Sequence, residues 1–377
     1  MSPGPARAPA ATRPGNVPFK LERSGVVMAP LAGEPSEAWG VLNPATARRG
    51  EDTFLFPRVV AENNFSRIAR ARITFDAGGT PAGVERLGIA LEPKEAWELH
   101  AGGGGVEDPR ITWLPSLERW LMTYTAYGPL GPRIGLAASA DLERWERLGP
   151  ASFGYQPGLG TDLGLYPNKD ALLFPEPVRD PAGRPAYAML HRPMWDLSLF
   201  VRGEGEPLPD GIEDARPGIW VSFAPAAAVE RDIAAIVRFD QHRLVAMPER
   251  SWEALKIGGG TPPIRVDEGW LVLYHGASGK LTRGLDLQPD VRYSAGALML
   301  DPLEVTRVIA RTADPLLEPE LPDEVVGTVG NVVFPTAIEQ SADGAGHDVY
   351  YGMADSRIGV ARLTRIGAFA PRPNAKE

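Results

Sequence analysis

A chain of 377 residues with 44% hydrophobic and 23% charged side chains has the composition of an ordinary folded protein with a sizeable core. Its net charge of −9 argues against general nucleic-acid binding, which needs a basic face, and no apolar run approaches the length of a membrane span. The absence of cysteine excludes disulfides, a thiolate nucleophile and cysteine metal sites, so the default expectation is a cytoplasmic protein with no nucleic-acid or membrane partner.

In chain order, residues 1–18 are rich in Pro and Ala and lack the apolar stretch of a signal peptide. A flexible tail over 1–19, one folded domain over 20–368 and a second tail over 369–377 are expected. Val26-Val27-Met28-Ala29-Pro30 reads either as a strand that closes the fold or as a simple N-terminal extension. A motif then returns five times: Asn43-Pro44-Ala45, Val106-Glu107-Asp108-Pro109-Arg110, Asn168-Lys169-Asp170 leading into Leu173-Phe174-Pro175, Gly259-Gly260-Thr261-Pro262-Pro263, and Asn331-Val332-Val333-Phe334-Pro335. Each places polar or small residues beside a proline and next to an apolar stretch. After the last four copies come strand-like runs at 120–127, 186–191, 270–275 and 349–352, then further apolar runs at 134–138, 219–223, 295–300 and 358–363.

Strand patterns recurring at a fixed order predict an all-β, five-bladed β-propeller, whose innermost strands would bring the repeated polar residues to one central pocket. The 42 glycines and 38 prolines suit the many tight turns this requires. Helical signals are short: one turn at 141–145 and two or three at 226–236. The acidic, Pro-rich stretches 203–217 and 317–324 read as a surface loop and as a link between the last two repeats.

The sharpest chemical signal is the glycine run 102–105 followed by Glu107-Asp108-Pro109. Asp108 at a pocket floor could donate a proton to a leaving oxygen, although the same residues also suit a turn capped by Asp108. Lys169, Arg192, Lys256 and His275 would gather positive or donor groups around the channel, an arrangement suited to an anion such as phosphate. Asp170, Asp355 and Arg58 would orient a polyhydroxylated ligand, and Trp113, Tyr124, Tyr274, Tyr293 and Tyr351 include candidates for sugar stacking as well as for the core. No H-x-x-x-H spacing supports a metal site, and neither a G-x-S-x-G elbow nor a phosphate-binding P-loop is present.

Gly105-Val106-Glu107-Asp108-Pro109-Arg110-Ile111, Asn168-Lys169-Asp170 with Leu173-Phe174-Pro175, Leu190-His191-Arg192-Pro193, Lys256-Ile257-Gly258-Gly259-Gly260 with Pro262-Pro263, Tyr274-His275-Gly276 and Tyr351-Gly352-Met353-Ala354-Asp355 occur in that order. Together, over about residues 24–365, they resemble glycoside hydrolase family 130, the β-mannoside phosphorylases and related β-mannosidases. The resemblance implies the five-bladed propeller and an inverting attack on a β-mannosidic bond. In the phosphorylases of that family inorganic phosphate is the nucleophile and co-substrate, no other cofactor is needed, and α-mannose 1-phosphate is the product.

Asp108 then matches the general acid, acting through the sugar's 3-hydroxyl, and Arg192, Lys256 and His275 match phosphate-binding positions. Lys169 stands where Arg is frequent and Asp170 where Asn is common; a carboxylate there would repel a phosphate dianion or serve as the base of a hydrolase. Asn43, Arg58 and Asp355 match residues that hold the mannosyl group, and Tyr274 joins them as a substrate-binding candidate. The expected partner is a small β-mannoside oligosaccharide, and homo-oligomers are common in the family. An inverting β-mannoside hydrolase is the alternative, and a carbohydrate-binding propeller without turnover is a third reading.

Overall fold

Short alternating stretches bounded by Gly, Pro and Asp become β-strands, and only two α-helices of four residues each occur among the described residues. The computed structural model describes residues 16–100, 102–195, 208–280 and 290–369. Most of the two expected tails and residues 203–207 of the expected surface loop lie outside that set.

Most strands group into antiparallel units in which the first four main strands neighbour one another in sequence. The first unit runs β2 (Gly40–Arg49), β3 (Asp52–Ala61), β4 (Phe65–Phe75) and β5 (Pro81–Leu91), and the second, joined to it in one sheet by a short parallel pairing of β4 with β6, runs β6 (Gly104–Leu114), β7 (Arg119–Gly128), β8 (Gly131–Ser139) and β9 (Glu146–Pro150). In the third, β11 (Asn168–Leu173), β13 (Pro185–Pro193), β14 (Ile219–Pro225) and β15 (Arg238–Ala246) are joined by the two-residue strands β10 (Ser152–Phe153) and β12 (Val178–Arg179). The fourth contains β16 (Lys256–Gly259), β18 (Gly269–Gly279), β19 (Val291–Leu300) and β20 (Val308–Arg311), with β17 (Ile264–Val266) beside β18. The fifth is β21 (Val333–Gln340), β22 (His347–Met353) and β23 (Arg357–Arg365), completed by β1 (Phe19–Met28) from the other end of the chain. Of the two sequence readings for 26–30, the pairing of β1 with β23 realises the closing strand and covers what would otherwise be an open edge.

Apolar side chains fill the spaces between consecutive units. Phe56 and Ile68 meet Val106 and Met122; Leu121 and Leu136 meet Ala171 and Met189; Leu172 and Val221 meet Val272 and Leu298. Leu271 and Ala297 then meet Val333 and Val349, and Tyr350 and Val360 meet Val41 and Val59 of the first unit. The series of interfaces therefore returns to its start. The first strands of the units lie innermost, with β2 against β6 and β21, and β11 against β6 and β16.

A polar staple recurs between the strands. Tyr124 donates to Glu98 Oε1 at 2.7 Å while Arg147 Nε binds the same oxygen at 2.8 Å. Tyr351 and Arg23 share Glu324 Oε1 at 3.0 and 2.8 Å, and Tyr274 and Arg311 close on Glu253, with Arg311 Nη2 at 2.6 Å. The tyrosine is always on a second strand, the arginine on a fourth strand, and the glutamate on the approach to the unit. Each glutamate also accepts two backbone amides through Oε2, for Glu253 those of Glu249 and Arg250 at 2.8 and 2.9 Å. Opposite the three tyrosines stand Gly135, Gly296 and Gly359, where a Cβ would collide with the ring.

The helical expectations need correction. Residues 141–145 form no helix: Asp141 Oδ1 accepts the amides of Glu143 and Arg144, both at 2.8 Å, which ties the chain into a turn instead. Over 226–236 the α-helix is confined to α1 (Ala226–Val229) and gives way to a 3₁₀ segment, Ile233–Val237, capped by Asp232. Within 317–324, the expected link, Leu317 bridges to Ala295, and α2 (Pro322–Val325) carries the stapling Glu324.

Candidate active site

In its first three copies the repeated polar motif is a bulge on the innermost strand. Pairing shifts register between Leu42 and Ala45, between Glu107 and Arg110, and between Lys169 and Leu172. At each shift one residue adopts a left-handed backbone: Asn43 at φ 42°, Asp108 at φ 45° and Asp170 at φ 55°. Asn and Asp tolerate that conformation best among residues with a Cβ, and a bulge re-aims the side chain it carries. The glycine run before Asp108 serves the same strand. Gly105, at φ 112°, packs so tightly on the Ser66 carbonyl of β4 that a side chain there would strike it.

These bulges converge on a cavity of about 190 Å³, lined by Asn43, Arg58, Asp108, Lys169, Asp170, Arg192, Lys256, His275 and Asp355, with Tyr293, Val329, Val332 and Phe334. Nine of the ten residues given roles by the family resemblance therefore share one space. A larger cavity of about 690 Å³ lies further along the same inner strands, among Ile111, Trp113, Pro262 and Glu339. Its charged lining is Arg48, Arg49, Arg265 and Glu339, whereas the smaller cavity gathers four cations and three carboxyls in less space, so the smaller cavity is the candidate site.

One wall is acidic and already organised. Asp108 Oδ1 receives Asn43 Nδ2 at 2.9 Å and Arg58 Nη1 at 3.3 Å. Arg58 also donates to Glu107 at 3.0 Å and to Ser66 at 2.9 Å, and Glu107 reaches Lys169 at 3.5 Å. Burial alone would push the Asp108 carboxyl up, but Arg58, Lys169 and Arg110 outweigh it and hold the group below its usual range. Asp355 behaves oppositely: burial, with the charge of Asp108 nearby, pushes its carboxyl up to about 6 despite Arg58. Two neighbouring carboxyls thus differ in their hold on a proton.

The other wall carries the cations. Arg192 Nε donates to Asp170 Oδ2 at 2.6 Å, and His275 Nε2 lies 3.6 Å from the same oxygen. Burial would raise the Asp170 carboxyl, yet Arg192, His275 and Arg110 keep it well below the ordinary carboxylate range. Burial lowers the His275 imidazole to about 3, so the ring is neutral around pH 7, and neither ring nitrogen has a hydrogen-bond partner among the described residues. Lys256 sits with its ammonium 5.2 Å from the Tyr293 ring and has no carboxylate partner among the described residues. Phe334 packs against the His275 ring at 4.3 Å.

Tyr274 is the sequence expectation that the structure does not bring to the cavity. Side chains alternate along a strand, so placing His275 inward turns Tyr274 away, into its staple with Glu253 and Arg311. Tyr124 and Tyr351 are buried in the same way, whereas Tyr293 alone of the candidate aromatics lines the cavity. Glu107, read from sequence as a turn residue, holds both Arg58 and Lys169. Arg110 was missed as well: it is buried beneath the site and donates to the Asp108 carbonyl at 2.6 Å and to the Gly260 carbonyl at 2.8 Å. Its place two residues after Asp108, on the same strand face once the bulge is allowed for, was the available signal.

The profile of glycoside hydrolase family 130, described as beta-1,4-mannooligosaccharide phosphorylase, matches residues 20–366. The chain belongs to this family. It is 32% identical to a beta-1,2-mannobiose phosphorylase of Thermoanaerobacter sp. (strain X514), over 92% of this chain and 98% of that protein. It is 29% identical to a beta-1,4-mannooligosaccharide phosphorylase of Ruminococcus albus, over 74% and 68% of the two chains. Among solved structures, the beta-1,2-mannobiose phosphorylase of Listeria innocua in complex with beta-1,2-mannobiose superimposes with a TM-score of 0.65 at 23% identity, covering 93% of this chain and 97% of that one. A structure reported with family-130 glycoside hydrolases that target beta-1,2 mannosidic linkages in Candida mannan gives a TM-score of 0.68 at 20% identity, covering 95% and 99%. As a family-130 protein the chain is an enzyme of the phosphorylase or glycoside hydrolase type, and no helix among its described residues is long and apolar enough to cross a membrane.

Proposed function

We propose that the chain is a five-bladed β-propeller, with residues 20–368 as its single catalytic domain, and that its central cavity performs inverting phosphorolysis of a β-mannoside. The support for the architecture is the closed series of unit interfaces together with β1 completing the last unit. The observation that carries the function is the division of one cavity into an acid wall and a cation wall.

In this reading Asn43, Arg58 and Asp355 hold the mannosyl group, and Lys169, Arg192, Lys256 and His275 hold phosphate on the face opposite the leaving sugar. The bond from C1 to the leaving oxygen breaks as a phosphate oxygen bonds to C1 with inversion, giving α-mannose 1-phosphate. The proton on the leaving oxygen comes from Asp108. In the empty site three cations hold Asp108 ionised. Phosphate brings negative charge beside Lys169, the one of those cations that also belongs to the phosphate set, and offsets it, so phosphate binding raises the affinity of Asp108 for the proton that the acid must carry.

Hydrolysis would need a second carboxylate to activate water. Asp170 is poorly suited to that role, because Arg192 engages it at 2.6 Å and keeps its affinity for a proton low. The test is product analysis with β-1,2- and β-1,4-mannobiose, with and without inorganic phosphate. The reading requires mannose 1-phosphate only when phosphate is present, as the α anomer. Free mannose at equal rates in both arms would make the enzyme a hydrolase, and no turnover of either sugar would leave a different glycoside as its substrate, or a carbohydrate-binding propeller, as the better account. The Thermoanaerobacter relative that matches nearly end to end is a beta-1,2-mannobiose phosphorylase, which makes the β-1,2 disaccharide the first substrate to try.

A further inference from the structure

The phosphate reading leaves one residue unexplained: a full negative charge, Asp170, stands within the wall assigned to an anion. The bulge on β11 directs it there, at φ 55°, directly after Lys169. It is buried, and both of its contacts, from Arg192 and His275, fall on Oδ2. Nearby Gly258 is kept bare by it, since a Cβ at that position would strike Asp170 Oδ2 and the His275 ring. The packing therefore fixes the position of this side chain.

We infer that Asp170 selects an oxyanion that still carries a proton: its carboxylate accepts a hydrogen bond from the P–O–H of hydrogen phosphate, while Lys169, Arg192 and Lys256 donate to the bare oxygens. This rests on the phosphate site proposed above. The chemistry is one of matched donors and acceptors. A carboxylate accepts only, and a lysine or arginine donates only. Hydrogen phosphate and hydrogen arsenate offer both an O–H and bare oxygens around neutral pH. Sulfate has the size and shape of phosphate but has no proton to give, so Asp170 faces it as an uncompensated like charge. Arg192 keeps Asp170 ionised and hence an acceptor. A site built to pair a particular hydroxyl rejects the analogue that lacks it far more strongly than one that merely measures size.

The same geometry could serve a second purpose, with Asp170 only orienting the Arg192 guanidinium, and the experiment separates the two. Binding of phosphate, arsenate and sulfate to the full-length protein is measured by titration calorimetry near neutral pH, without sugar, for the wild type and for Asp170→Asn. The wild type should bind phosphate and arsenate with similar affinity and sulfate at least about 100-fold more weakly. In Asp170→Asn, sulfate should bind within about tenfold of phosphate, because an amide can donate to a bare oxygen. If Asp170 only orients Arg192, the variant weakens all three anions in proportion and the selectivity persists, which overturns the inference. Wild type that binds sulfate as well as phosphate also overturns it, while leaving the phosphate site intact. Failure of every anion to bind the wild type would instead remove the phosphate reading itself. Should Asp170→Asn not fold, Asp170→Ser takes its place and must likewise bring sulfate within about tenfold of phosphate, while selectivity that persists in it overturns the inference.

Discussion

The staples between strands and the central cavity are built from the same residue types and differ in how completely those residues are paired. At Glu253 every acceptor direction is used: Tyr274, Arg311 and two backbone amides converge on one carboxylate. The arrangements at Glu98 and Glu324 repeat it. In the cavity, Asn43 Oδ1 and both nitrogens of His275, and just beneath it Arg110 Nη2, have no partner among the described residues, and two carboxyls lie close enough to perturb each other. Buried polar groups are almost always paired, so a cluster of unpaired ones marks where a ligand is to be received. Among the described residues single unpaired atoms occur elsewhere, as at Trp145 and Trp270, but only at the cavity do several gather beside charged groups.

The contrast predicts that the two regions fail in different ways. Asp108→Asn should lower turnover by about 10²–10⁴-fold, the usual contribution of a positioned acid, with little change in the unfolding midpoint. Steady-state kinetics beside a urea titration would show it, and a loss of stability matching the loss of rate would erase the distinction. Glu253→Ala should do the reverse. It leaves the buried Arg311 with Glu249, at 3.5 Å, as its carboxylate partner, and should cost about 3 kcal/mol of stability, read from the urea midpoint at constant slope. The turnover of the protein that remains folded should change far less than in Asp108→Asn.

The pH dependence of stability sharpens the comparison from the cavity side. Asp355 binds its proton more tightly in the folded chain, up to about 6, than an unfolded aspartate does. The folded state therefore loses stability as pH rises from about 4 to about 6, and the full penalty is present at neutral pH. Asp355→Asn should thus be more stable than wild type at pH 7, by on the order of 2 kcal/mol, with the advantage shrinking toward pH 4. Thermal melts at the two pH values test this. An advantage of equal size at both would mean that the gain has nothing to do with ionisation.

Much of this plan was legible in the sequence, and for identifiable reasons. Asn43-Pro44, Asp108-Pro109 and Asp170-Ala171 stand out because a left-handed bulge restricts which residues fit, so the inner strands leave a mark that repeats. Second and third strands show as apolar runs because both of their faces are buried. Fourth strands do not. β5, with its pattern Pro-Ala-Gly-Val-Glu-Arg-Leu-Gly-Ile-Ala-Leu, lies partly exposed and mixes polar with apolar residues. The staples were equally hidden, because they join residues far apart in the chain, with 301 positions separating Arg23 from Glu324. Inner-strand chemistry is written locally; the ties between strands are not.

Tyr274 is where local reading went astray, and it gives the smallest and most discriminating test. Its neighbour His275 lines the cavity, so resemblance of the pair to a sugar site drew the tyrosine in with it. Strand alternation alone would have separated them. Tyr274→Phe keeps the ring over Gly296 and removes only the hydroxyl that meets Glu253 and Arg311. Because Glu253 retains Arg311 and two amides, the loss should be about 1–1.5 kcal/mol of stability. The KM for the β-mannoside should be unchanged within about twofold, since a hydroxyl outside the cavity makes no contact with sugar. A rise in KM of tenfold or more, with stability intact, would return Tyr274 to the substrate site and blur the boundary between the two regions at that strand.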